Sequence, residues 1–402
     1  MMRARRALTR KRVASTVVLL GATSLLTDIS SEMVSTVLPL YLVATLGFSP
    51  LQFGVIDGLY QGAGAFVRLG AGFLGDRLSR HKTVAAFGYG LSAICKLGLA
   101  VVSGAWGTLS AIILADRTGK GLRTAPRDAM ISLSSRREDL GLAFGVHRAM
   151  DTAGAMIGPV LAFALLSAAP SGYHTLFLVS FLIALLGLGV LTLLVRQPRG
   201  SEAPAAEKPD LRAALALLRR RELRALTLAA AALGLVTVSD GFIYLTLRQR
   251  VDFSPALFPL LATGTAVTYM LLAVPAGRLA DRWGRGRVLL GGYAILLAVY
   301  GLLLLPSAGS ADLVLVLGLL GIYYAATDGV LAAMGSARAP EALRGSGLAI
   351  LGTAADAARM LASIIFGALW VEIGLQTAII VFAGGLIVAM ALTARGLHVA
   401  RA

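Results

Sequence analysis

The sequence predicts an all-α membrane protein of twelve transmembrane helices, arranged as two six-helix halves related by a parallel repeat. Three observations carry this expectation. Apolar runs of about 20 residues recur along the whole chain, each long enough to cross a hydrocarbon core about 30 Å thick. Lysines and arginines gather in alternate connections between those runs. Short residue patterns recur at a constant offset of 205 positions.

Composition agrees with the first observation. Of 402 residues, 57% are hydrophobic and 14% charged, where a soluble chain carries about 25% charged residues. The first apolar run follows Arg3, Arg5, Arg6, Arg10, Lys11 and Arg12, as a leader peptide would. It has no small-residue cleavage site and continues past Asp28 and Glu32, so it reads as a membrane span. Cys95 is the single cysteine and lies in an apolar run, which excludes an intramolecular disulfide. His81, His174 and His398 fall at or beyond span edges and only His147 lies within one, so no metal site is expected.

Spans are expected at 15–43, 51–75, 83–102, 108–131, 140–168, 174–195, 224–250, 255–277, 287–305, 311–334, 343–370 and 375–394. Connections on one face are short and neutral, as in Thr45–Pro50 and Ser103–Gly107. The other face holds 27 of the 37 lysines and arginines, against two, Arg248 and Arg250, opposite. The positive-inside rule then places both termini in the cytoplasm, with the chain in the cell inner membrane. A formal charge of +16 is therefore a topology signal with some attraction to anionic lipid, and no nucleic-acid partner is expected. The longest polar stretch falls mid-chain, dividing the sequence into a half at 1–195, a linker at 196–223 and a half at 224–402. Leu211 to Arg224 fits either a short interfacial helix, with Leu211, Leu215 and Leu218 toward lipid, or an extension of span seven.

The repeat has three anchors in one register. Phe48-Ser49-Pro50 recurs as Phe253-Ser254-Pro255, Asp76-Arg77 as Asp281-Arg282, and Asp151 as Asp356. A parallel six-span duplication puts a substrate site between the halves near mid-membrane.

Gly72-Phe-Leu-Gly75-Asp76-Arg77-Leu-Ser-Arg80-His-Lys82 resembles the signature loop of the major facilitator superfamily, with Ser79 where glycine is usual. Gly277-Arg-Leu-Ala-Asp281-Arg282-Trp-Gly-Arg285 is its counterpart. Glycines let helix ends pack closely, and a carboxylate suits a neighbouring helix N-terminus. The resemblance implies a latch that holds the cytoplasmic side shut; a solvated loop charge pair is the alternative. Gly154-Ala-Met-Ile-Gly158-Pro159 resembles the G-x-x-x-G-P motif of members that export by antiport, although Ala162-Phe163 replaces the following glycines. Arg117-Thr-Gly-Lys120-Gly121 resembles the R-x-x-Q-G element of drug:proton antiporters, with Lys120 for glutamine. Plain helix packing explains the same glycines. The resemblance further implies a small-molecule substrate, protons as partners and a monomer. No phosphate-cradling loop is present, because Gly121 follows Lys120 where Ser or Thr is required. The chain is expected to be no enzyme and to use no cofactor, drawing on a proton gradient.

The distribution of intramembrane charge supports the same fold. Residues 175–195, 288–305 and 374–394 carry none, which suits lipid-facing helices. A charge at mid-bilayer costs at least about 2.5–3.5 kcal/mol, so those retained elsewhere need partners or a wet cavity. Asp28 and Glu32 lie four apart on one helix face near mid-membrane. Two such carboxylates disfavour each other's ionisation, which suits one to carry a proton; permanent pairing with arginines is the alternative. Asp151 is the next candidate. Span four carries Asp116, Arg117, Lys120, Arg123 and Arg127, and span five answers with His147, Arg148 and Asp151. Asp151 and Lys120 fall at comparable depth and could pair. Fixed helix braces and an anion-binding stripe are both compatible with this pattern. Asp240, Asp328, Asp356 and Arg359 are cavity candidates in the second half. Asp57 is expected near the outer surface, Arg68 in the cytoplasmic third and Lys96 snorkelling or paired, with no role assigned. The leading expectation is proton-coupled efflux of a small organic molecule; uptake or exchange of an anionic metabolite is second, and lipid handling or signalling without ion coupling is third.

Overall fold

The computed structural model describes residues 14–78, 80–102, 104–136, 139–196, 216–306, 309–340 and 343–399, with the side chains of 68–78, 344 and 397–399 outside the described part. In the first half, α1 (Ser15–Leu40), α2 (Pro50–Leu78), α3 (His81–Val101), α4 (Trp106–Leu133), α5 (Leu140–Ala168) and α6 (Tyr173–Gly189) follow one another with short connections. The second half comprises α7 (Arg221–Leu235), α8 (Asp240–Arg250), α9 (Phe258–Trp283), α10 (Arg285–Leu304), α11 (Ser310–Arg338), α12 (Arg344–Ile373) and α13 (Leu375–Val399). Among the described residues these make twelve crossings, with α7 and α8 sharing one between them. No strand occurs among the described residues.

The expected duplication governs packing. Contacts α1–α5, α1–α6, α2–α4, α3–α4 and α3–α6 recur in the second half as α7–α12, α7–α13, α9–α11, α10–α11 and α10–α13. The halves meet through α2 with α12 and, less extensively, through α5 with α9. α6 and α13 turn large apolar side chains outward, among them Leu182, Leu186, Leu193, Ile380, Ile387 and Val388. These are helices the charge distribution assigns to lipid.

Among the described residues, ten crossings are long and apolar enough for a membrane by composition. α2 and α4 are not among them, and both line the interior. α4 carries six charges between Asp116 and Asp128, a density that lipid would not accept but a wet cavity does.

One detail departs from the sequence reading. Span seven is not continuous: the helix stops at Leu235 and restarts at Asp240. The Tyr300 hydroxyl on α10 caps the break, donating to the Val236 carbonyl (3.0 Å) and accepting from the Val238 amide (2.7 Å). Its sequence signal is a β-branched run, Val236-Thr237-Val238, followed by Ser239-Asp240 at a helix start. Of the expected stretch Leu211 to Arg224, residues 211–215 lie outside the described residues, Ala216 is helical, and α7 begins at Arg221. Leu217–Arg219 forms a 3₁₀ turn, Arg220 is extended, and Leu217 is buried. Residues 197–215 lie outside the described residues.

The contacts between halves gather toward the short-loop, neutral face. Phe53 of α2 meets Phe242 of α8 at 4.8 Å, and Phe242 stacks on Phe366 (4.9 Å) and Trp370 (5.7 Å) of α12. A Cβ on Gly58 would fall 2.7 Å from the Met360 carbonyl, so α2 and α12 touch backbone to backbone there. The aromatic plug and this close crossing seal the neutral face.

Candidate functional site

Two adjoining cavity lobes, of 270 and 430 Å³, share Tyr60 and Gln61 as lining residues; the smaller lies between the halves and the larger is lined from the first half. The smaller lies under the aromatic plug; the larger extends along α4 toward the basic face.

The larger lobe is built on the crossing of α1 and α5. A Cβ on Gly158 would lie 2.7 Å from the Ile29 carbonyl and 2.8 Å from Glu32 Cβ; one on Gly154 would lie 3.1 Å from Asp28 Cβ. The antiporter-type glycines therefore seat α5 directly against the two α1 carboxylates, with Pro159 buried beside them. This crossing sets Asp28 and Asp151 on one lobe. Two carboxylates placed so disfavour each other's ionisation. Asp28 and Glu32 share a helix face as expected, and Glu32 accepts from Ser35 Oγ at 2.7 Å.

An Asp151–Lys120 pair does not form. Asp151 lies 3.7 Å from Arg127 and 3.7 Å from Arg148. The Lys120 ammonium makes no ion pair among the described residues and stands in electrostatic range of Glu32 and Asp28. Arg123 and Arg148 line the same lobe. Two other cavity candidates are braces first. Arg117 is buried, ion-paired to Asp116 and stacked on Tyr60 at 3.8 Å, with only an edge on the lobe. His147 is buried against Ser24 Oγ (3.0 Å), which also accepts from Arg127 (3.1 Å), and it lines neither lobe. Of the two expectations for Lys96, snorkelling or pairing, the structure shows pairing, with Asp116 at 3.2 Å.

The smaller lobe holds Glu32, Asp57, Asp240 and Arg359. Asp240 opens α8 and accepts from the Tyr324 hydroxyl at 2.7 Å. Asp57, to which the sequence assigned no role, lines the cavity at the seam of the halves. It accepts from Gln61 (2.7 Å) on its own helix and from Ser363 (2.6 Å) on α12. Depth counted along α2 could not show which way it points. The i, i+4 spacing of Asp57 and Gln61 within an apolar run was the available signal. Arg359 faces the lobe and lies 4.0 Å from Asp328; Asp328 and Asp356 do not line either lobe.

The signature loops lie at the basic face. The side chains of Gly72, Gly75, Asp76 and Arg77, and Arg68, lie outside the described residues, and Arg80 is exposed. In the second loop α9 ends at Trp283, Gly284 turns with φ +96°, and α10 begins at Arg285. Asp281 pairs with Arg285 at 3.1 Å, and Arg285 donates to the Ala333 carbonyl near the end of α11 (3.2 Å). Gly277 has open space around it and Arg282 is exposed. This loop ties helices of the second half to one another.

Comparison with known proteins agrees with this architecture. The chain matches the Major Facilitator Superfamily over residues 20–258 and again over 241–401. It is 32% identical over 370 residues to an uncharacterized MFS-type transporter of Methanocaldococcus jannaschii, covering 90% of this chain and 89% of that one. Among solved structures, the nucleoside transporter NupG superposes with a TM-score of 0.78 at 18% identity, covering 95% of this chain and 99% of that one. A POT family transporter in complex with a thioalcohol-conjugated peptide reaches 0.76 at 14% identity, covering 93% and 94%.

Proposed function

The chain belongs to the major facilitator superfamily and is a multi-pass membrane transporter, not an enzyme, and we propose that it exports a small organic molecule in exchange for protons. Transport proceeds by alternating access, the two halves rocking about the cavity. The observation that carries the coupling is that the glycine crossing of α1 and α5 sets Asp28 and Asp151 together on one lobe of the cavity. A proton shared there is lost when a cation or a rearranged Lys120 approaches Asp28, and regained when the site opens to the acidic side. Asp28 thus acts with Asp151 more directly than with Glu32. The basic face is the cytoplasmic one by its charge, which puts the chain in the cell inner membrane with both termini inside. The contacts of α2 with α8 and α12 near the neutral face support an inward-facing reading of this conformation. A monomer suffices, since both halves of the cavity come from one chain.

Untargeted comparison of metabolites and drug tolerance, in cells with and without the protein, identifies the solute. That solute is then followed in proteoliposomes with and without an imposed pH gradient. Transport indifferent to the gradient overturns coupling, and accumulation of the solute in expressing cells overturns export. A second reading, uptake or exchange of an anionic metabolite, is favoured by the Lys120 ammonium in the larger lobe, which makes no ion pair among the described residues. Counterflow of labelled anions with no pH gradient would select it.

A further inference from the structure

The cavity is polarised. Its smaller lobe sets three carboxylates, Glu32, Asp57 and Asp240, against one guanidinium, Arg359. Neutral donors hold all three: Ser35 for Glu32, Gln61 and Ser363 for Asp57, and Tyr324 for Asp240. None of them makes an ion pair among the described residues, and they are not grouped to hold a metal ion. The larger lobe has the opposite balance. Lys120 lines it without an ion pair among the described residues. Arg123 is only 3% exposed, stacks on Tyr89 at 4.7 Å and leaves its Nη1 without a hydrogen-bond partner. Tyr60 and Gln61 border both lobes, so the two charge fields adjoin across these side chains.

Uncompensated charge is costly inside a membrane, and a buried donor without a partner adds to that cost. A simple anion would answer Lys120 and Arg123 and leave the carboxylates unmatched; an organic cation would do the reverse. We infer that the cavity binds a zwitterion, with its cationic group at the Glu32–Asp57–Asp240 end and its anionic group at Lys120 and Arg123. The Tyr60 ring and the Gln61 amide border the uncharged middle of such a molecule. This deepens the transporter reading and rests on it, by naming the substrate class of the same cavity.

The test measures binding alone, so its failure leaves coupled transport standing. Detergent-purified full-length protein is melted with linear ω-amino carboxylates, from glycine to 6-aminohexanoate, at millimolar concentration. Each is paired with its N-acetyl derivative, which keeps only the anion, and its carboxamide, which keeps only the cation. At least one zwitterion should raise the melting temperature and bind about tenfold more tightly than either derivative. Asp240→Asn should narrow its advantage over the N-acetyl form, and Lys120→Gln its advantage over the carboxamide. The wild-type series decides the matter alone if a variant fails to fold. Equal binding of the N-acetyl forms identifies a plain anion site and overturns the inference. Equal binding of the carboxamides identifies a plain cation site and does the same, as does the absence of any shift across the series.

Discussion

Asp28 and Asp151 line one lobe at the α1–α5 crossing, where two carboxylates disfavour each other's ionisation, and the consequences belong to those two residues. Asp28→Asn replaces a titrating group by an amide of the same shape. Transport driven by a pH gradient should fall at least about tenfold, while exchange of substrate for substrate persists. Asp151→Asn should have the same signature, and the double variant should be little worse than either single one, because both remove one shared proton. Glu32→Gln should be milder, since Glu32 is bonded to Ser35 instead. The measurement is proteoliposome flux with and without the gradient. Undiminished gradient dependence in the double variant would place the proton elsewhere, with Asp57 and Asp240 the remaining cavity carboxylates beside Glu32.

At the scale of elements, two helix junctions decide the shape of the cavity. The first is the α1–α5 crossing. Gly158→Ala would push a methyl group into the Ile29 carbonyl and Glu32 Cβ, forcing the helices apart. Overpacking of this kind costs about 1–3 kcal/mol, read as a lowered melting temperature in detergent. Coupling should fall with it, because Asp28 and Asp151 separate. The second junction is the break between α7 and α8, which places Asp240 at a helix start inside the membrane. Tyr300→Phe leaves the Val236 carbonyl and Val238 amide without their partner. An unsatisfied buried group costs about 1–3 kcal/mol, so this one-atom change should destabilise as much as a large core truncation. A melting temperature equal to wild type would show that water replaces the hydroxyl.

For the whole molecule the question is which face opens and which way the chain is inserted. A cysteine introduced within Glu202–Asp210 should react with an impermeant thiol reagent only from the cytoplasmic side; the native Cys95 is buried and adds little background. Labelling of intact cells would reverse the orientation. The halves are pinned at the neutral face by the aromatic plug and by Ser363 donating to Asp57. Ser363→Ala removes that donor and should shift the resting population toward the outward-open state, seen as greater labelling of a cysteine placed at Phe53. The second signature loop lies at the other end. Asp76→Asn should weaken cytoplasmic closure and cut transport without loss of insertion. Asp281→Asn should do so less, since Asp281 pairs within its own half.

The sequence alone determined the fold of this protein. Span length, alternation of basic connections and the 205-residue repeat are long-range statistical features of the chain, set by bilayer thickness and by lipid's intolerance of charge. The glycine pair Gly154 and Gly158 and the carboxylates Asp28, Glu32 and Asp151 were also legible, because spacing on a helix fixes which residues share a face. What tertiary structure decided was partnership. Depth along a helix left a Lys120–Asp151 pair open and gave Asp57 no role, yet the rotation of the helices about their own axes turned Asp151 toward Arg127 and Arg148 and Asp57 into the seam of the halves. That rotation is set by packing against neighbours distant in sequence, and no local pattern records it. The break in span seven is intermediate: its Val-Thr-Val-Ser-Asp signal is local, but it becomes a stable feature only because Tyr300, far along the chain, supplies the missing hydrogen bonds. The polarity of the cavity is likewise a property of assembly, since Glu32, Asp57 and Asp240 come together only when the two halves close on one another.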